Sequence, residues 1–247
     1  AALAESLYQG KAANLQELKF NSNLIGPEGA AALADAYLSH GCRELRLLFL
    51  SDNRLGASGV RALANGLRAG GARLQRLRLS SNSCGDGGAE AVAQCLEASG
   101  GSRLQELTLS DNGIGIAGAK ALATALDQGQ GSCCDFAMLN IGQSNFGWEG
   151  LELLLTALHK SSAKLETLRV NDCKINEEGA MALAKQLPKL APNLKELMIR
   201  DNGFRLQGPA ATALTEHARQ CGPSFHLILT ETAALIPPDE TVSPVAK

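Results

Sequence analysis

The sequence has few aromatic residues, no long apolar run and almost no net charge. Phe, Trp and Tyr together make up 4% of the 247 residues, so leucine, alanine and valine must supply most of the buried area. No run of 18 apolar residues occurs, which argues against a transmembrane helix and against membrane insertion. The formal net charge of -2 leaves no basic excess for binding phosphates, so nucleic-acid binding is disfavoured.

The seven cysteines do not form the pattern of a disulfide framework. Their number is odd, their spacing is irregular, and no N-x-[ST] sequon is present. We therefore predict a reducing, intracellular location in the cytoplasm. Cys133 and Cys134 are adjacent, but a metal site would need further ligands, and only His159 is available in the next repeat. A structural or incidental role is favoured for this pair, and no metal or other cofactor is predicted.

No motif in the sequence points to an enzyme. A nucleophile paired with a base, a phosphate-binding loop and an H-E-x-x-H metal motif are all missing. The histidines lie at repeat junctions or near the end of the chain, where surface or cap positions are expected. We therefore predict a protein without catalytic activity. The four histidines are His40, His159, His217 and His226.

What the chain does contain is one phrase repeated along its length. Residues 104–114 read L-x-x-L-x-L-x-x-N-x-I, and a run with apolar residues at spacings of three and four follows. The phrase returns every 29 to 32 residues, a period typical of a solenoid built from stacked repeats. Its seven copies begin at Leu15, Leu45, Leu74, Leu104, Phe136, Leu165 and Leu194.

The repeat divides the chain into four parts. Residues 1–14 match the helical end of a preceding repeat, so the chain is expected to enter in mid-repeat or to begin further upstream. Residues 15–222 hold the seven repeats, of which the fifth is degenerate. Residues 223–235 contain Phe225-His-Leu-Ile-Leu229 and are predicted to form a C-terminal cap strand. The tail at 236–247 is rich in proline and is expected to be extended.

Each repeat is predicted to form a strand, a turn and a helix. The apolar period is two in Leu107-Thr-Leu109, as in a strand, and three to four from Gly118 to Leu126, as in an amphipathic helix. Parallel strands lie about 4.8 Å apart whereas packed helices need about 8–10 Å, so the stack must bend. The sequence therefore predicts an α/β solenoid with parallel strands on the concave face and helices on the convex face.

The asparagine that follows each strand is predicted to be structural. A buried carboxamide both donates and accepts hydrogen bonds, so it can satisfy backbone groups that lose their ladder partners in the turn. Cys173 is an accepted variant of this position, and Ser144 is a weaker substitute with fewer bonding groups. Five repeats carry the asparagine itself, as Asn23, Asn53, Asn82, Asn112 and Asn202.

The whole pattern L-x-x-L-x-L-x-x-N-x-L-x-x-x-G-[AV]-x-x-L-x-x-x-L resembles the ribonuclease-inhibitor-like class of leucine-rich repeats. The resemblance extends from residue 15 to about residue 210. It implies a right-handed horseshoe that binds other proteins, usually through its concave face, and that is rarely an enzyme in its own right. Members of the class include ribonuclease inhibitor, the repeat regions of innate immune receptors and Ran GTPase-activating proteins.

The concave surface is predicted from the strand positions that alternate with leucine. Leu47 and Phe49 are apolar where solvent is expected, and they lie beside Arg76 and Arg78, a combination typical of a binding hot spot. The equally weighted alternative is that a cap or the next strand covers the two apolar side chains. The predicted protein-binding residues are Leu47, Phe49, Asp52, Arg76, Arg78, Asp111, Asn140, Arg169, Asp172, Met198 and Arg200.

Two charged features of this surface have an ordinary explanation beside a functional one. Arg169 and Arg200 lie on adjacent strands near aspartates, where they would bind a partner of mixed charge or, as we favour, be compensated within the surface. An acidic residue also recurs just before the turn, and a role in shaping the loop is favoured over binding. The recurring acids are Asp52, Asp111, Asp172 and Asp201.

The sequence thus predicts a non-enzymatic scaffold that holds one or more proteins on its concave face, as a subunit of a larger assembly. The alternative is a Ran-type GTPase-activating protein, with Arg54 as the residue to test, although a solvated loop arginine is the favoured interpretation. The long acidic tail of that family is missing, since Asp239 and Glu240 are the only acids after residue 231. For Trp148, the sole tryptophan, packing and a contact edge are equally weighted.

Overall fold

In a computed structural model, the chain alternates eight parallel strands with seven α-helices over the residues that the structure describes. These residues are 14–39, 44–70, 74–97, 104–128, 136–160, 165–190, 193–221 and 224–230. The predicted helix end at residues 1–13, the pair Cys133 and Cys134, and the tail at 236–247 lie outside them. Within the same ranges, no helix combines the length and apolarity needed to cross a membrane.

The strands form one sheet in chain order, and each strand is only three residues long. Equivalent repeat positions pair with one another, so the central leucines Leu48, Leu77 and Leu107 follow each other across the sheet. The last strand lies within the segment expected to cap the array. The strands are β1 (Glu17–Lys19), β2 (Leu47–Phe49), β3 (Arg76–Arg78), β4 (Glu106–Thr108), β5 (Met138–Asn140), β6 (Thr167–Arg169), β7 (Glu196–Met198) and β8 (His226–Ile228).

One α-helix lies between each pair of consecutive strands. The first is short and continues directly into a π-helical segment at Ala34–Ser39. Each helix packs against its neighbours in the chain, which is the contact pattern of a solenoid. The helices are α1 (Pro27–Leu33), α2 (Gly56–Gly70), α3 (Gly85–Glu97), α4 (Ile116–Gln128), α5 (Gly147–Lys160), α6 (Glu177–Leu190) and α7 (Pro209–Gln220).

A continuous hydrophobic core lies between the sheet and the helices. Strands β1 to β7 contribute their central leucines, and α4 contributes Leu122 and Leu126, all of them buried. In the degenerate fifth repeat, Phe136 and Phe146 are fully buried, and Phe136 fills the position that leucine occupies in the other six repeats. Because full burial of one such side chain stabilises the fold by about 1.5–3 kcal/mol, stacking of neighbouring repeats supplies the main driving force.

The two layers of the solenoid need different spacings. Adjacent parallel strands are about 4.8 Å apart, whereas adjacent helices need about 8–10 Å, so the sheet follows the shorter, inner path. The parallel order β1 to β8 and the alternation with helices confirm the predicted α/β solenoid, with strands on the concave side and helices on the convex side.

The asparagine after strands β2, β3, β4 and β7 links consecutive repeats through hydrogen bonds. The Nδ2 atom of Asn112 donates to three backbone carbonyl oxygens at 2.9–3.2 Å, one of them in the preceding repeat. Its Oδ1 atom accepts from the backbone N–H groups of Asn82 at 3.0 Å and Cys84 at 3.2 Å. Asn53, Asn82 and Asn202 donate in the same pattern. The structural role predicted for this position therefore matches the geometry.

The asparagine network is interrupted in the fifth and sixth repeats. Ser144 is buried, and its hydroxyl donates to the carbonyl of Gly142 in its own turn at 3.3 Å. The Sγ atom of Cys173 lies 3.5 Å from the Ile141 oxygen and 3.4 Å from the Asn171 oxygen. A thiol is a weak donor, and a serine hydroxyl is too short to reach the preceding repeat as asparagine does. The links between repeats are therefore weaker here.

Two acidic side chains on the convex side cap the helix of the following repeat. Asp86, in the first turn of α3, accepts hydrogen bonds from the backbone N–H groups of Gly115 at 2.6 Å and Gly118 at 2.9 Å, where α4 begins. Glu177, in the first turn of α6, accepts from Arg205 at 3.1 Å and from Ala210 at 3.0 Å, where α7 begins. Helix starts leave backbone N–H groups without partners, so these acids satisfy donors in the next repeat.

Replacing Glu177 with glutamine is expected to lower the Tm at pH 7. The backbone N–H groups of Ala210 and Arg205 favour the ionised carboxylate and hold the pKa of Glu177 below its ordinary value. A carboxylate with a lowered pKa in the folded state stabilises the fold above its unfolded pKa, and this contribution is lost as the pH falls through the folded pKa. The Tm difference between wild type and variant should therefore shrink as the pH falls below the ordinary glutamate pKa of about 4.3.

Glu178→Gln is the matched control, because the neighbouring glutamate is exposed and lies in the same turn of α6. Its Tm at pH 7 should remain that of the wild type. Equal Tm values for wild type and Glu177→Gln at pH 7 would contradict the capping role.

Candidate protein-binding surface

Three rows of side chains cross the sheet on the side away from the helices, and we call them the strand face. The register places the first residue of each strand in the first row and the third residue in the second row. The residue two positions after each strand lies in the third row. The first row is Glu17, Leu47, Arg76, Glu106, Met138, Thr167, Glu196 and His226, and the second row is Lys19, Phe49, Arg78, Thr108, Asn140, Arg169, Met198 and Ile228.

Phe49 is covered by cationic side chains from the strands on either side. The guanidinium carbon of Arg78 lies 4.4 Å from the ring centroid, and the Nζ atom of Lys19 lies 5.7 Å from it. Both distances are within the range of about 6 Å for cation–π attraction. Only 7% of Phe49 is exposed, so the full exposure expected from its strand position is not observed. The observed arrangement corresponds to the alternative raised by the sequence, because a side chain of the next strand covers the Phe49 ring.

Arg76 and Arg78 share one carboxylate on the adjacent strand. The Nε atom of Arg78 donates to Oε1 of Glu106 at 2.8 Å, and the Nε atom of Arg76 lies 3.5 Å from Oε2. Glu106 is largely buried between them, whereas half of the Arg76 side chain is exposed. The β2–β4 part of the strand face is therefore a pre-arranged cluster of one aromatic ring, two arginines and a glutamate.

The second pair of arginines lacks such a carboxylate. The Nη2 atom of Arg169 is 3.7 Å from Oε1 of Glu196, a loose ion pair. Asp172, predicted to compensate the arginines, forms an ion pair instead with Lys174 at 2.6 Å. Among the described residues, the Nε atoms of Arg169 and Arg200 are the only buried side-chain nitrogens or oxygens without a hydrogen-bond partner. Glu196, rather than Asp172, is therefore the residue that compensates Arg169 within this surface.

Two other predicted binding residues have limited access to solvent. Met198 is 3% exposed, and it is the register neighbour of Arg169 on β6. Asn140 is partly buried, and its Oδ1 atom accepts a hydrogen bond from the Gly142 N–H group at 3.1 Å. Met198 is therefore a buried member of the second row that offers little surface to a partner, whereas Asn140 and Leu47 are half-buried.

The recurring acidic residue occupies a left-handed backbone conformation. The φ angles are 58° at Asp52, 54° at Asp111, 48° at Asp172 and 56° at Asp201. Aspartate and asparagine tolerate this region better than most residues because their short polar side chains bond locally. The geometry supports the favoured interpretation that these acids shape the turn. The same position carries Ser22, Ser81 and Gln143 in other repeats.

Arg54 lies in the turn after β2, and Trp148 is the second residue of α5. Arg54 is exposed, and its backbone N–H group donates to the Ile25 oxygen at 3.0 Å. No observation on the described residues favours a GTPase-activating role for it. Trp148 is half-buried and packs against the core, and it also lines an open cleft with Asn176 and Glu178. Packing is therefore observed for Trp148, and its role as a contact edge stays a prediction.

The described cysteines are buried or half-buried thiols. Burial raises the pKa of Cys84 to about 11, of Cys95 to about 11 and of Cys173 to about 12. Because the thiolate is the reactive form, these side chains are poor nucleophiles and poor metal ligands near neutral pH. Across the described ranges, no group of three or more His, Cys, Asp and Glu residues is placed to hold a metal ion.

Comparison with known families agrees with the repeat geometry. A family model for the leucine-rich repeat matches residues 11–34, 41–64, 74–93, 103–123 and 161–184. The fold is a leucine-rich repeat solenoid. The match leaves out the fifth and seventh repeats, and in the fifth repeat phenylalanine replaces the first leucine and Ser144 replaces the asparagine. No curated protein matches the chain significantly in sequence.

Solved structures show the same fold at low sequence identity. Actin-binding site 2 of leiomodin-1 is 19% identical with a TM-score of 0.51, over 64% of this chain and 86% of that one. An internalin from Listeria monocytogenes is 18% identical with a TM-score of 0.53, and the match spans 89% of this chain but about half, 49%, of the internalin. The tropomodulin C-terminal domain from Caenorhabditis elegans is 13% identical with a TM-score of 0.50, over 64% and 90% of the two chains.

Proposed function

We propose that the protein is a non-enzymatic interaction scaffold of the ribonuclease-inhibitor-like class. It binds one or more proteins on the concave strand face and acts as a subunit of a larger assembly in the cytoplasm. The observation that carries the proposal is the cluster of Phe49, Arg78, Arg76 and Glu106 on β2–β4. Aromatic residues and arginines are enriched where interfaces gain most of their binding energy.

The cluster is held in place before any partner arrives. Its backbone is fixed by the parallel ladder, and Arg78 is fixed both by the Phe49 ring at 4.4 Å and by Glu106 at 2.8 Å. Ordering a long side chain on binding costs about 0.5–1.5 kcal/mol, and a pre-arranged arginine avoids most of that cost. The cluster is therefore suited to contact a protein surface with little rearrangement.

The resemblance to other solenoids supports proteins as the class of partner. The leiomodin-1 structure is described as an actin-binding site, and leucine-rich repeat solenoids offer an extended curved surface of the kind that suits a folded protein. For this chain, the proposal commits to the strand face as the site of contact and leaves the convex helices as support.

Charge reversal on the strand face is expected to abolish partner binding. Arg78→Glu would place two carboxylates side by side and remove the cation–π contact with Phe49. Arg76→Glu would also place a carboxylate beside Glu106, at a more exposed position. Wild type and variants would be used as bait in the source cells, with bound proteins quantified by mass spectrometry. We expect at least a tenfold loss of specifically bound proteins for both variants.

Lys185→Glu is the matched control, since this exposed lysine lies on α6, on the convex side. It should retain every partner, and thermal unfolding should verify that all three variants are folded. Retention of all partners by folded Arg76→Glu and Arg78→Glu would overturn the choice of surface.

A further inference from the structure

Two buried donors on the strand face have no acceptor within the described part of the protein. They are the Nε–H groups of Arg169 on β6 and of Arg200, two residues after β7. A buried donor of a charged group that lacks an acceptor costs free energy, and native proteins rarely leave one without a reason. The Nε atoms themselves have no exposed surface, but both side chains are part-exposed, 23% in the case of Arg169, so an acceptor from outside the chain can approach these incompletely paired guanidinium groups on the face that we propose for binding.

The positions of the two arginines allow both to contact one ligand group. Arg169 pairs in register with Met198, and Arg200 lies two residues further along the neighbouring strand. With strands about 4.8 Å apart and a rise of about 3.3 Å per residue, the two Cα atoms lie about 8 Å apart. The backbone of Arg200 is fixed, because its N–H group donates to Oδ1 of Asn171 at 2.8 Å. Two long side chains at this separation can meet at a single carboxylate.

The other end of the strand face shows what such a carboxylate does. Arg76 and Arg78 lie two residues apart on β3, and Glu106 of the next strand accepts a hydrogen bond from Nε of Arg78 at 2.8 Å and forms an ion pair with Nε of Arg76 at 3.5 Å. At β6–β7, Glu196 reaches only Nη2 of Arg169, at 3.7 Å, and leaves both Nε groups without an acceptor. The second arginine pair therefore lacks the group that completes the first.

We infer that Arg169 and Arg200 form a site for an aspartate or glutamate side chain of the partner, so that the scaffold recognises an acidic segment of a protein. This inference rests on the proposed function and adds the chemistry of the partner. An arginine side chain binds a carboxylate through charge-assisted and often bidentate hydrogen bonds, which makes this acceptor the best match for the open donors.

A single carboxylate fits the surroundings better than a polyanion. Glu196 lies beside Arg169, Asp201 follows Arg200 directly, and Asp172 lies at the turn of the preceding repeat. The chain as a whole has a formal net charge of -2. A nucleic acid would bring successive phosphates against these acids, whereas one carboxylate of a peptide meets the two arginines alone.

The test is a selection of random 12-residue peptides, displayed on phage, against the full chain. We expect the selected peptides to be enriched in aspartate and glutamate. A synthetic peptide from this set should bind the Arg169→Gln/Arg200→Gln variant at least tenfold more weakly than wild type. The same peptide with its acids changed to asparagine and glutamine should lose as much affinity for wild type, and the two losses should not add.

Two further measurements make the result specific. Arg61→Gln, which removes an exposed arginine from the convex helix α2, should bind the peptide as wild type does. The Nε–Hε signals of Arg169 and Arg200 in a nitrogen-15 spectrum should shift when the peptide is added, and the signal of Arg61 should not.

The inference is overturned if the selected peptides show no acidic enrichment, if no peptide is selected, or if the double variant keeps full affinity while folded. Displacement of the peptide by a single-stranded oligonucleotide of thymidines at lower concentration would also overturn it in favour of phosphate recognition. These outcomes leave the scaffold proposal standing, because that proposal depends on partner loss in Arg76→Glu and Arg78→Glu.

Discussion

Replacing Asn112 with alanine is expected to lower the free energy of unfolding by about 3–5 kcal/mol. The change removes three hydrogen bonds donated by Nδ2 and two accepted by Oδ1, and the site is 3% exposed, so water cannot replace them all. A buried polar group without a partner costs about 1–3 kcal/mol, and at least two backbone N–H groups would be left in that state. Urea unfolding followed by circular dichroism measures the loss.

Ser144→Ala is the control at the equivalent position of the fifth repeat. Its hydroxyl makes a single hydrogen bond of 3.3 Å within its own turn, so its removal should cost less than about 1 kcal/mol. Equal losses for Asn112→Ala and Ser144→Ala would show that the carboxamide bonds between repeats do not stabilise the solenoid.

Changing Gly88 to alanine is expected to destabilise the protein by about 1–3 kcal/mol, although alanine is the better helix former. A Cβ atom at this position would lie 2.4 Å from Cβ and 2.6 Å from Sγ of Cys84, one turn earlier in the chain. Both the glycine and the cysteine are buried against the core, so the clash requires the start of α3 to move. The free energy of unfolding in urea measures the effect.

The neighbouring Gly87 supplies a control with the opposite expected sign. A Cβ atom there would make an ordinary contact of 3.5 Å with Cβ of Ala57. Gly87→Ala should therefore stabilise the helix by about 0.5–1 kcal/mol through the lower conformational entropy of alanine. A stabilising effect of Gly88→Ala would show that the turn before α3 is free to adjust.

The fold was predictable because each repeat solves the same packing problem. Leu107 and Leu109 point into the core from a strand, and Asn112 satisfies the turn that follows, so residue type and spacing together define strand, turn and helix. The same reasoning identified Ser144 as a weak substitute, and its single hydrogen bond agrees. Parallel pairing follows as well, since equivalent positions of stacked repeats must face each other.

Side-chain choices on the strand face were not predictable in the same way. Phe49 occupies an outward position, but Arg78, 29 residues later in the sequence, covers its ring. Asp172 was expected to pair with the arginines, but it accepts a hydrogen bond from Lys174, two residues away. Such pairings depend on which of several charged neighbours a flexible side chain reaches, and a repeat pattern contains no information on that choice.

The acidic residues that cap the helix of the following repeat were not predicted, although the sequence contains a signal for them. Asp86 caps a helix that begins one repeat later, at Gly115 and Gly118, and Glu177 does the same at Ala210. An acid in the first turn of one helix is usually assigned to its own helix dipole. In a solenoid, the start of the next helix lies beside it, so acids at this repeat position are candidates for caps across the repeat boundary.

We expect the interruption at Ser144 and Cys173 to be the junction at which the array separates into two cooperative units. In a linear array, stability is close to a sum of repeat terms and nearest-neighbour terms, so the weakest junction sets where cooperativity fails. The joint lies between the arginines of β3 and those of β6–β7. A partner that contacts both pairs would bridge the two units, and its binding would merge their separate unfolding steps into one transition.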